Sequence, residues 1–346
     1  MIELTVLIPT YNRSDRLEKS LKSYLSDDLK NIEFLVVDNN SNDNIFGVIK
    51  SHEKENRIQY IKNYKNIGFN RNLYIGFLNA KSKWVCILPD DDYIEKGFLS
   101  ELLEVSKLNS DVGLIIPAQK HQNGGYTKCF EKSTTLKKGE DALSVAYMYT
   151  GSITGLCFNK ELLDFENWKL DMSIYPQIRN AMYLSKFHDI HYLVPKNYPI
   201  IGIGDPISIR INDNMNRPMD YGVFERFDML YDKGLALDKE LINKLSIKIF
   251  MWAISIFEEL YQFNKVYAYK YLNYLLTNSK IKQSFLFWLI LSYNVFYKVK
   301  YDLNLKLYIF KKSLVGSVIA VLKNRNKEIN FIIKNRNSLL KKAKHV

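Results

Sequence analysis

The chain has 346 residues, 47% hydrophobic and 25% charged, enough to bury a substantial core and to suggest roughly two domains. Its cysteines, Cys86, Cys129 and Cys157, are widely spaced without a CxxC pair, which excludes a zinc ribbon or a disulfide framework and fits a reducing compartment. The net charge of +12 is segregated: residues 240–346 carry 19 Lys/Arg against 5 Asp/Glu, and residues 1–239 carry 30 against 32. The first two-thirds therefore read as a near-neutral globular unit. The last third reads as a separate basic region facing an anionic partner, nucleic acid or a membrane surface.

The opening "MIELTVLIPTYN" has no basic start and carries Glu3 and Pro9 around a short apolar run, so it does not read as a signal peptide. "LTVLI" (4–8) predicts a buried strand ended by Pro9. Asn12 is placed to cap a helix whose Leu17, Leu21, Tyr24 and Leu25 share one face. "IEFLVV" (32–37) predicts a second strand, ending in "DNNSND". A polar, partly helical stretch follows, then a strand at "IQYIK" (58–62) and a helix after "NIGFN". Next comes "WVCILPDDDYIE" (84–95), an apolar strand that runs past Pro89 into Asp90, Asp91 and Asp92.

Three adjacent carboxylates repel one another, the more so beside an apolar strand. One reading is a solvated turn, since Pro and Asp are ordinary turn formers. The other is a site for a hard divalent cation, which takes oxygen ligands and neutralises the cluster. Alternating strands and helices predict an α/β domain with a mostly parallel sheet. In such sheets ligands bind beyond the carboxyl ends of the strands, so the polar clusters after the first, second and fourth strands are expected to converge on one crevice.

Farther on, "DVGLII" (111–116) predicts a strand, and "ITGLCFNKELL" (153–163) a strand or turn entering a short helix. Residues 170–216 are mixed, with a strand at "HYLVP" and punctuation at "IIGIGDPIS". From about 220 the texture is helical, with long apolar runs at 241–263, 283–297 and 313–322. None reaches the roughly 18 to 20 apolar residues of a membrane span.

Four stretches taken in order, "VLIPTYNR" (6–13), "VVDNNSND" (36–43), "NIGFNRNLYIGF" (66–77) and "ILPDDDYI" (87–94), resemble the family 2 glycosyltransferases, which have the GT-A fold. The resemblance is strong over residues 1–115 and looser to about 215, and the basic tail lies outside it. Within the family it is most similar to bacterial O-antigen and capsule enzymes of the abequosyltransferase-like kind. It implies a GT-A domain over 1–220, with a nucleotide-binding half at 1–115 and an acceptor half at 116–220. A basic helical region at 221–346 would then associate with a membrane or oligomerise.

The resemblance also implies roles. Pro9, Thr10, Tyr11 and Arg13 leave the first strand and line the nucleotide pocket. Asp38 accepts hydrogen bonds from the base or ribose. Asn40 is kept beside it, although Asn39, Asn40 and Ser41 also read as plain turn residues. Gly68, Arg71 and Asn72 open a helix where an Arg suits a diphosphate by charge and fork geometry, against the commoner case of a solvated helix residue. In the family an acidic motif at the triplet holds Mn²⁺ or Mg²⁺ on the diphosphate. Laying "LPDDD" over the usual "LDSDD" puts Pro89 where the first Asp sits. By spacing Asp90 and Asp92 form a DxD; by register Asp91 and Asp92 are the last two family carboxylates. Asp91 is the expected main ligand, with Asp90 and Asp92 in support.

Family 2 enzymes are expected to invert, with a carboxylate deprotonating the acceptor hydroxyl. The usual "ED" pair is absent from "WKLDMSIYPQIRN" (168–180). Asp171 is the nearest carboxylate and Asp205, in "GIGDP", the second candidate; His188 and His191 stay open. Arg179 is either a phosphate or acceptor contact or a solvated helix residue. The basic tail, 241–346, suits an anionic membrane surface, because basic helices with Trp and Phe lie in the interface. Its alternative is a bundle packing on the catalytic domain or on a second copy.

The expected activity is transfer of a sugar from a nucleotide-sugar to a glycan, lipid-linked through undecaprenyl diphosphate, at the cytoplasmic face of the inner membrane. A sugar nucleotidyltransferase would need a Gly-rich loop after the first strand, and "PTYNR" has no Gly. The alternative from another class is a nucleic-acid-binding or membrane scaffold protein that uses the basic tail beside an inactive GT-A domain. The nucleic-acid reading leaves the acidic triplet without a role, and no nucleic-acid partner is expected.

Overall fold

The computed structural model describes residues 2–170 and 175–202, with further short runs between 226 and 249. Two compact units emerge, Met1–Asp205 with Tyr231–Ala236, and Pro206–Leu230 with Leu237–Val346. Asp171, Asp205, the apolar run 283–297 and nearly all of the expected helical region lie outside the described residues. Among the described residues no helix is long and apolar enough to cross a membrane.

The first unit runs β1 (Leu4–Thr10), α1 (Ser14–Tyr24), β2 (Ile32–Asp38), α2 (Ile45–Ser51), β3 (Ile58–Lys62), α3 (Phe69–Asn79), β4 (Trp84–Ile87), β5 (Tyr93–Ile94) and α4 (Phe98–Leu108). There follow β6 (Leu114–Pro117), β7 (Gln119–His121), β8 (Tyr126–Thr127), β9 (Thr134–Leu136), α5 (Glu140–Tyr149), β10 (Cys157–Asn159), α6 (Phe165–Leu170), α7 (Pro176–Phe187), β11 (Ile190–Leu193) and β12 (Pro199–Ile201). The main sheet has the order β3-β2-β1-β4-β10-β6-β11-β9, and a smaller one the order β5-β12-β7-β8. Strands β3, β2, β1 and β4 are mutually parallel, and β10 runs antiparallel between β4 and β6. This is the expected α/β architecture with a mostly parallel sheet.

The central strands are apolar on both faces because helices cover both. On β1, Leu4, Val6 and Ile8 pack with Leu17, Leu21 and Tyr24 of α1 and Phe98, Leu99 and Leu102 of α4. Leu7, one residue out of phase, packs on the other face with Leu73 and Phe77 of α3. Each such side chain contributes about 1.5–3 kcal/mol by leaving water. Gly76 lets α3 approach β1, since a Cβ there would lie 2.3 Å from a Leu7 methyl.

Two local differences bear on the site. The first helix begins at Ser14 with Arg13 as its N-cap, not Asn12. Asn12 instead adopts a left-handed φ of 54°, and its Oδ1 accepts from the Asn42 N–H at 2.8 Å. The Asp43 carboxylate, from the next strand end, accepts from the Ser14 N–H at 2.7 Å. Helix α5 has no counterpart among the sequence expectations. Its Ala142, Leu143, Val145, Ala146 and Tyr147 are all buried, so it shows no narrow apolar stripe.

Candidate active site

The carboxyl ends of β1, β2 and β4 and the start of α3 open on one cleft of about 490 Å³. Pro9, Thr10, Tyr11 and Arg13 line it after β1, Asn39 after β2, and Asn66, Gly68, Phe69 and Asn72 at α3. Pro89, Asp90 and Asp91 close it after β4, with Ile153 from the segment before β10. Tyr11 and Phe69 are both exposed aromatics on this lining, each offering a flat face to a planar ligand. The positive end of α3 suits a phosphate group.

A network of asparagines holds the lining. Asn39 Nδ2 donates to Asn66 Oδ1 at 2.8 Å, and Asn39 Oδ1 accepts from the Ile67 N–H at 3.0 Å and from Asn63 Nδ2 at 3.2 Å. Asn63 Nδ2 also donates to Asn72 Oδ1 at 2.7 Å, and Asn72 Nδ2 to the Val37 carbonyl at 3.0 Å. Asn66 Oδ1 accepts from the Gly68 N–H at 2.9 Å, just before α3. Gly68 itself has φ 82°, a conformation that favours glycine. Asn39, Asn63 and Asn66 were not singled out from the sequence as site residues. Their signal was Asn recurring in two loops, Asn39 after β2 and Asn63 and Asn66 between β3 and α3.

Asp38 is fully buried and lies behind the lining. Its Oδ1 accepts from the Ser41 N–H and its Oδ2 from the Tyr60 hydroxyl, each at 2.8 Å, with Lys62 Nζ 3.9 Å away. In this structure its carboxylate fastens the loop after β2. Burial, and then Asp38 itself, pushes the Tyr60 hydroxyl up, so the phenol stays a donor. Asn40 has a left-handed φ of 65° and does not line the cleft, nor does Arg71 on the first turn of α3.

The three carboxylates part company. Asp90 Oδ2 accepts from the Thr10 hydroxyl at 2.7 Å, and Asp90 Oδ1 lies 3.2 Å from Arg13 Nη1. Asp91 Oδ2 lies 3.0 Å from the same Arg13 nitrogen and 3.3 Å from Arg16 Nη1. Asp92 is turned away: its Oδ2 accepts from the Thr154 hydroxyl and its Oδ1 from the Gly202 N–H at 2.8 Å. Asp92, expected among the metal ligands, therefore does not line the cleft. Tyr24 supports the turn from below, its hydroxyl 2.5 Å from the Pro89 carbonyl and 2.9 Å from that of Asp92.

Burial pushes the Asp90 carboxyl up to about 6, against the Thr10 hydroxyl and Arg13, which hold it down. Burial likewise pushes Asp92 up to about 7, against Thr154 and the Gly202 N–H. Neighbouring carboxylates raise both further. The site thus favours an added positive charge. Asp90 and Asp91 already converge on one cationic nitrogen, so their oxygens fit a hard dication. Among the described residues no three His, Cys, Asp or Glu side chains form a cage. Two carboxylates with the remaining positions left to phosphate and water is the usual way Mg²⁺ is held.

Arg179, a candidate contact, is buried on α7 with Nε 2.7 Å from Asp232 Oδ2. His188 and His191 lie beyond α7 and at β11, away from the cleft lining. The structure brings Pro9, Thr10, Tyr11, Arg13, Gly68, Asn72, Asp90 and Asp91 together.

Comparison with known proteins bears on the family and the fold. Residues 5–158 match the family model described as "Glycosyl transferase family 2". A protein of Campylobacter jejuni, the "GalNAc(5)-diNAcBac-PP-undecaprenol beta-1,3-glucosyltransferase", is 26% identical over 249 residues, covering 69% of this chain and 77% of that protein. The Staphylococcus aureus "Poly(ribitol-phosphate) beta-N-acetylglucosaminyltransferase TarP" is 27% identical over 172 residues, and the match spans 51% of its length. Among solved structures, S. aureus TarS 1-349 in complex with UDP-GlcNAc superposes with a TM-score of 0.58 at 15% identity, over 84% of this chain and 80% of that one. The mannosyltransferase PcManGT from Pyrobaculum calidifontis, in complex with GDP-Man and Mn²⁺, gives 0.50 at 14% identity, over 90% and 86%. These structural likenesses concern the fold.

Proposed function

We infer that this chain, a family 2 glycosyltransferase whose matching domain is residues 5–158, transfers a sugar from a nucleoside-diphosphate sugar to a hydroxyl of a glycan acceptor. The observation that carries the reading is the convergence of three strand ends and the α3 N-terminus on a cleft walled by Arg13, Asp90 and Asp91. Tyr11 and Phe69 offer faces to the base, and the positive end of α3 faces the diphosphate. Asp90 and Asp91 would hold Mn²⁺ or Mg²⁺. When bound, the metal supplies charge neutralisation for the departing nucleoside diphosphate. Thr10 orients Asp90 through its 2.7 Å hydrogen bond, and Tyr24 holds the turn from which both carboxylates project. Arg16 steadies Asp91 from α1.

The proposed stereochemistry is inversion, with Asp171 or Asp205 as the base that takes the acceptor proton. The proposed acceptor is a polyprenyl-diphosphate-linked or other cell-surface glycan, in keeping with the names of the C. jejuni and S. aureus relatives. Docking on an anionic membrane through residues 241–346 would bring such an acceptor to the cleft. A homo-oligomer through the same residues is the competing use of that region.

The test is calorimetric titration of UDP, GDP, CDP and dTDP, with and without Mn²⁺, into the wild type and Asp91→Ala. One nucleotide should bind in a metal-dependent manner, and the variant should lose that binding. Absence of binding by all of them in the wild type, under either condition, would overturn the reading.

A further inference from the structure

We propose that Arg13 is the resident counter-ion of the Asp90–Asp91 pair, and that metal and nucleotide displace it together. This deepens the functional reading above and rests on it. One guanidinium nitrogen, Nη1, sits 3.2 Å from Asp90 Oδ1 and 3.0 Å from Asp91 Oδ2, the two oxygens placed to share a metal. A dication on those oxygens would lie within a few ångström of that nitrogen, where two positive charges repel strongly. Metal and Arg13 therefore exclude each other from this position.

The mobility of the groups differs in the right sense. The Asp90 side chain is 4% exposed and that of Asp91 23%, whereas Arg13 is 42% exposed and free to swing toward water. Its backbone cannot follow. The Asn12 N–H donates to Ser41 Oγ at 2.8 Å, the Asn42 N–H to Asn12 Oδ1 at 2.8 Å, and the Ser14 N–H to Asp43 Oδ2 at 2.7 Å. Both sides of Arg13 are thus stitched to the loop after β2, and displacement is a rotation of the side chain at the cleft wall. Because Arg13 lines the cleft, the released fork stays within reach of a diphosphate, a match by charge and geometry. Arg16 touches Asp91 alone of the pair and should matter less.

Binding of metal and nucleotide is then coupled, the diphosphate drawing off the arginine that opposes the metal and the metal releasing the arginine that meets the diphosphate, and the coupling is reciprocal. Without nucleotide, the arginine suppresses metal binding, which guards the acidic pair against idle occupation by a dication.

The experiment measures Mn²⁺ affinity by electron paramagnetic resonance, first with Mn²⁺ alone and then with whichever of UDP, GDP, CDP or dTDP binds. Wild type, Arg13→Gln, Arg13→Lys and Arg16→Gln are compared, with circular dichroism confirming that each is folded. Removing one positive charge beside the metal should tighten Mn²⁺ alone on Arg13→Gln by roughly tenfold. Arg13→Lys should stay near wild type, and Arg16→Gln should fall between. The enhancement of Mn²⁺ affinity by nucleotide should shrink in Arg13→Gln by at least the same factor. If the wild type binds Mn²⁺ with nucleotide but Arg13→Gln binds Mn²⁺ alone no tighter, the counter-ion role fails while the transferase reading stands. If no form binds Mn²⁺ under any condition, the metal reading falls with it.

Discussion

Gly202→Ala tests how the acidic turn is held. Gly202 follows β12, and its N–H donates to Asp92 Oδ1 at 2.8 Å. A Cβ at this position would lie 2.0 Å from the Asp91 carbonyl oxygen and 3.1 Å from its carbon. Backbone meets backbone there, so no side-chain rotation relieves the contact, and the two segments must separate by about 1 Å. The separation breaks the Gly202–Asp92 bond and leaves a buried carboxylate oxygen unmet, at about 1–3 kcal/mol. Strain adds about 1–3 kcal/mol. For a unit of this size the sum lowers the melting temperature by roughly 4–24 °C. The residue whose backbone is pushed is Asp91, so the cleft-facing carboxylate moves too, and displacement on this scale weakens metal-dependent nucleotide binding by about tenfold or more. Differential scanning calorimetry and nucleotide titration at a temperature where the variant is folded read the two effects. Gly124→Ala is the control, since Gly124 has φ +99° with nothing within 4 Å of its would-be Cβ and lies away from the cleft lining. A Gly202→Ala variant that loses no more stability than Gly124→Ala and binds nucleotide like the wild type would refute the backbone clash.

Metal affinity should depend on pH in the acid direction. Asp90, pushed up to about 6, must ionise to bind a metal, so Mn²⁺ affinity should fall about tenfold from pH 7 to pH 5; a flat profile would contradict the assignment of Asp90. Tyr60→Phe removes the hydroxyl that donates to buried Asp38 at 2.8 Å and should destabilise the fold by about 1–3 kcal/mol in chemical denaturation. An unchanged midpoint would mean that Ser41 and Lys62 suffice. Gly76→Ala drives a methyl to 2.3 Å from Leu7 and should cost about 1–3 kcal/mol, with Leu7→Ala recovering part of it in the double variant. Strictly additive losses would count against the α3–β1 contact as the cause.

The elements that form the crevice were legible because their signals are local. "LTVLI", "IEFLVV" and "WVCIL" are short apolar runs ending in polar residues, and the described strands stand at those places. Members of each polar cluster that follows, Thr10 and Arg13, Asn39, and Asp90 and Asp91, do line one cleft, since a parallel sheet puts the carboxyl ends of β1, β2 and β4 on one edge. Less was legible where partners are distant. Asn12 looks like a helix cap, yet the groups that meet it, Ser41 and Asn42, lie 29 and 30 residues along, and they draw it into a left-handed turn. Asp38 stands at a strand end, as a ligand-binding carboxylate would, but Tyr60 on the neighbouring strand occupies one of its oxygens.

The triplet marks the boundary most sharply. Sequence alone determined that three carboxylates follow a buried strand at a sheet edge, because strand, proline and charge are contiguous. It put Asp91 first with Asp90 and Asp92 in support, but could not separate the two supporters, since spacing paired Asp90 with Asp92 and register paired Asp91 with Asp92. Which of them lines the cleft belongs to the tertiary structure. Thr154, 62 residues along the chain from Asp92, and Gly202, 110 residues along, turn that carboxylate away, while Arg13 draws Asp90 and Asp91 onto one point. Successive side chains in a turn point in different directions, and only groups brought in from elsewhere in the fold decide which of them reaches the cleft.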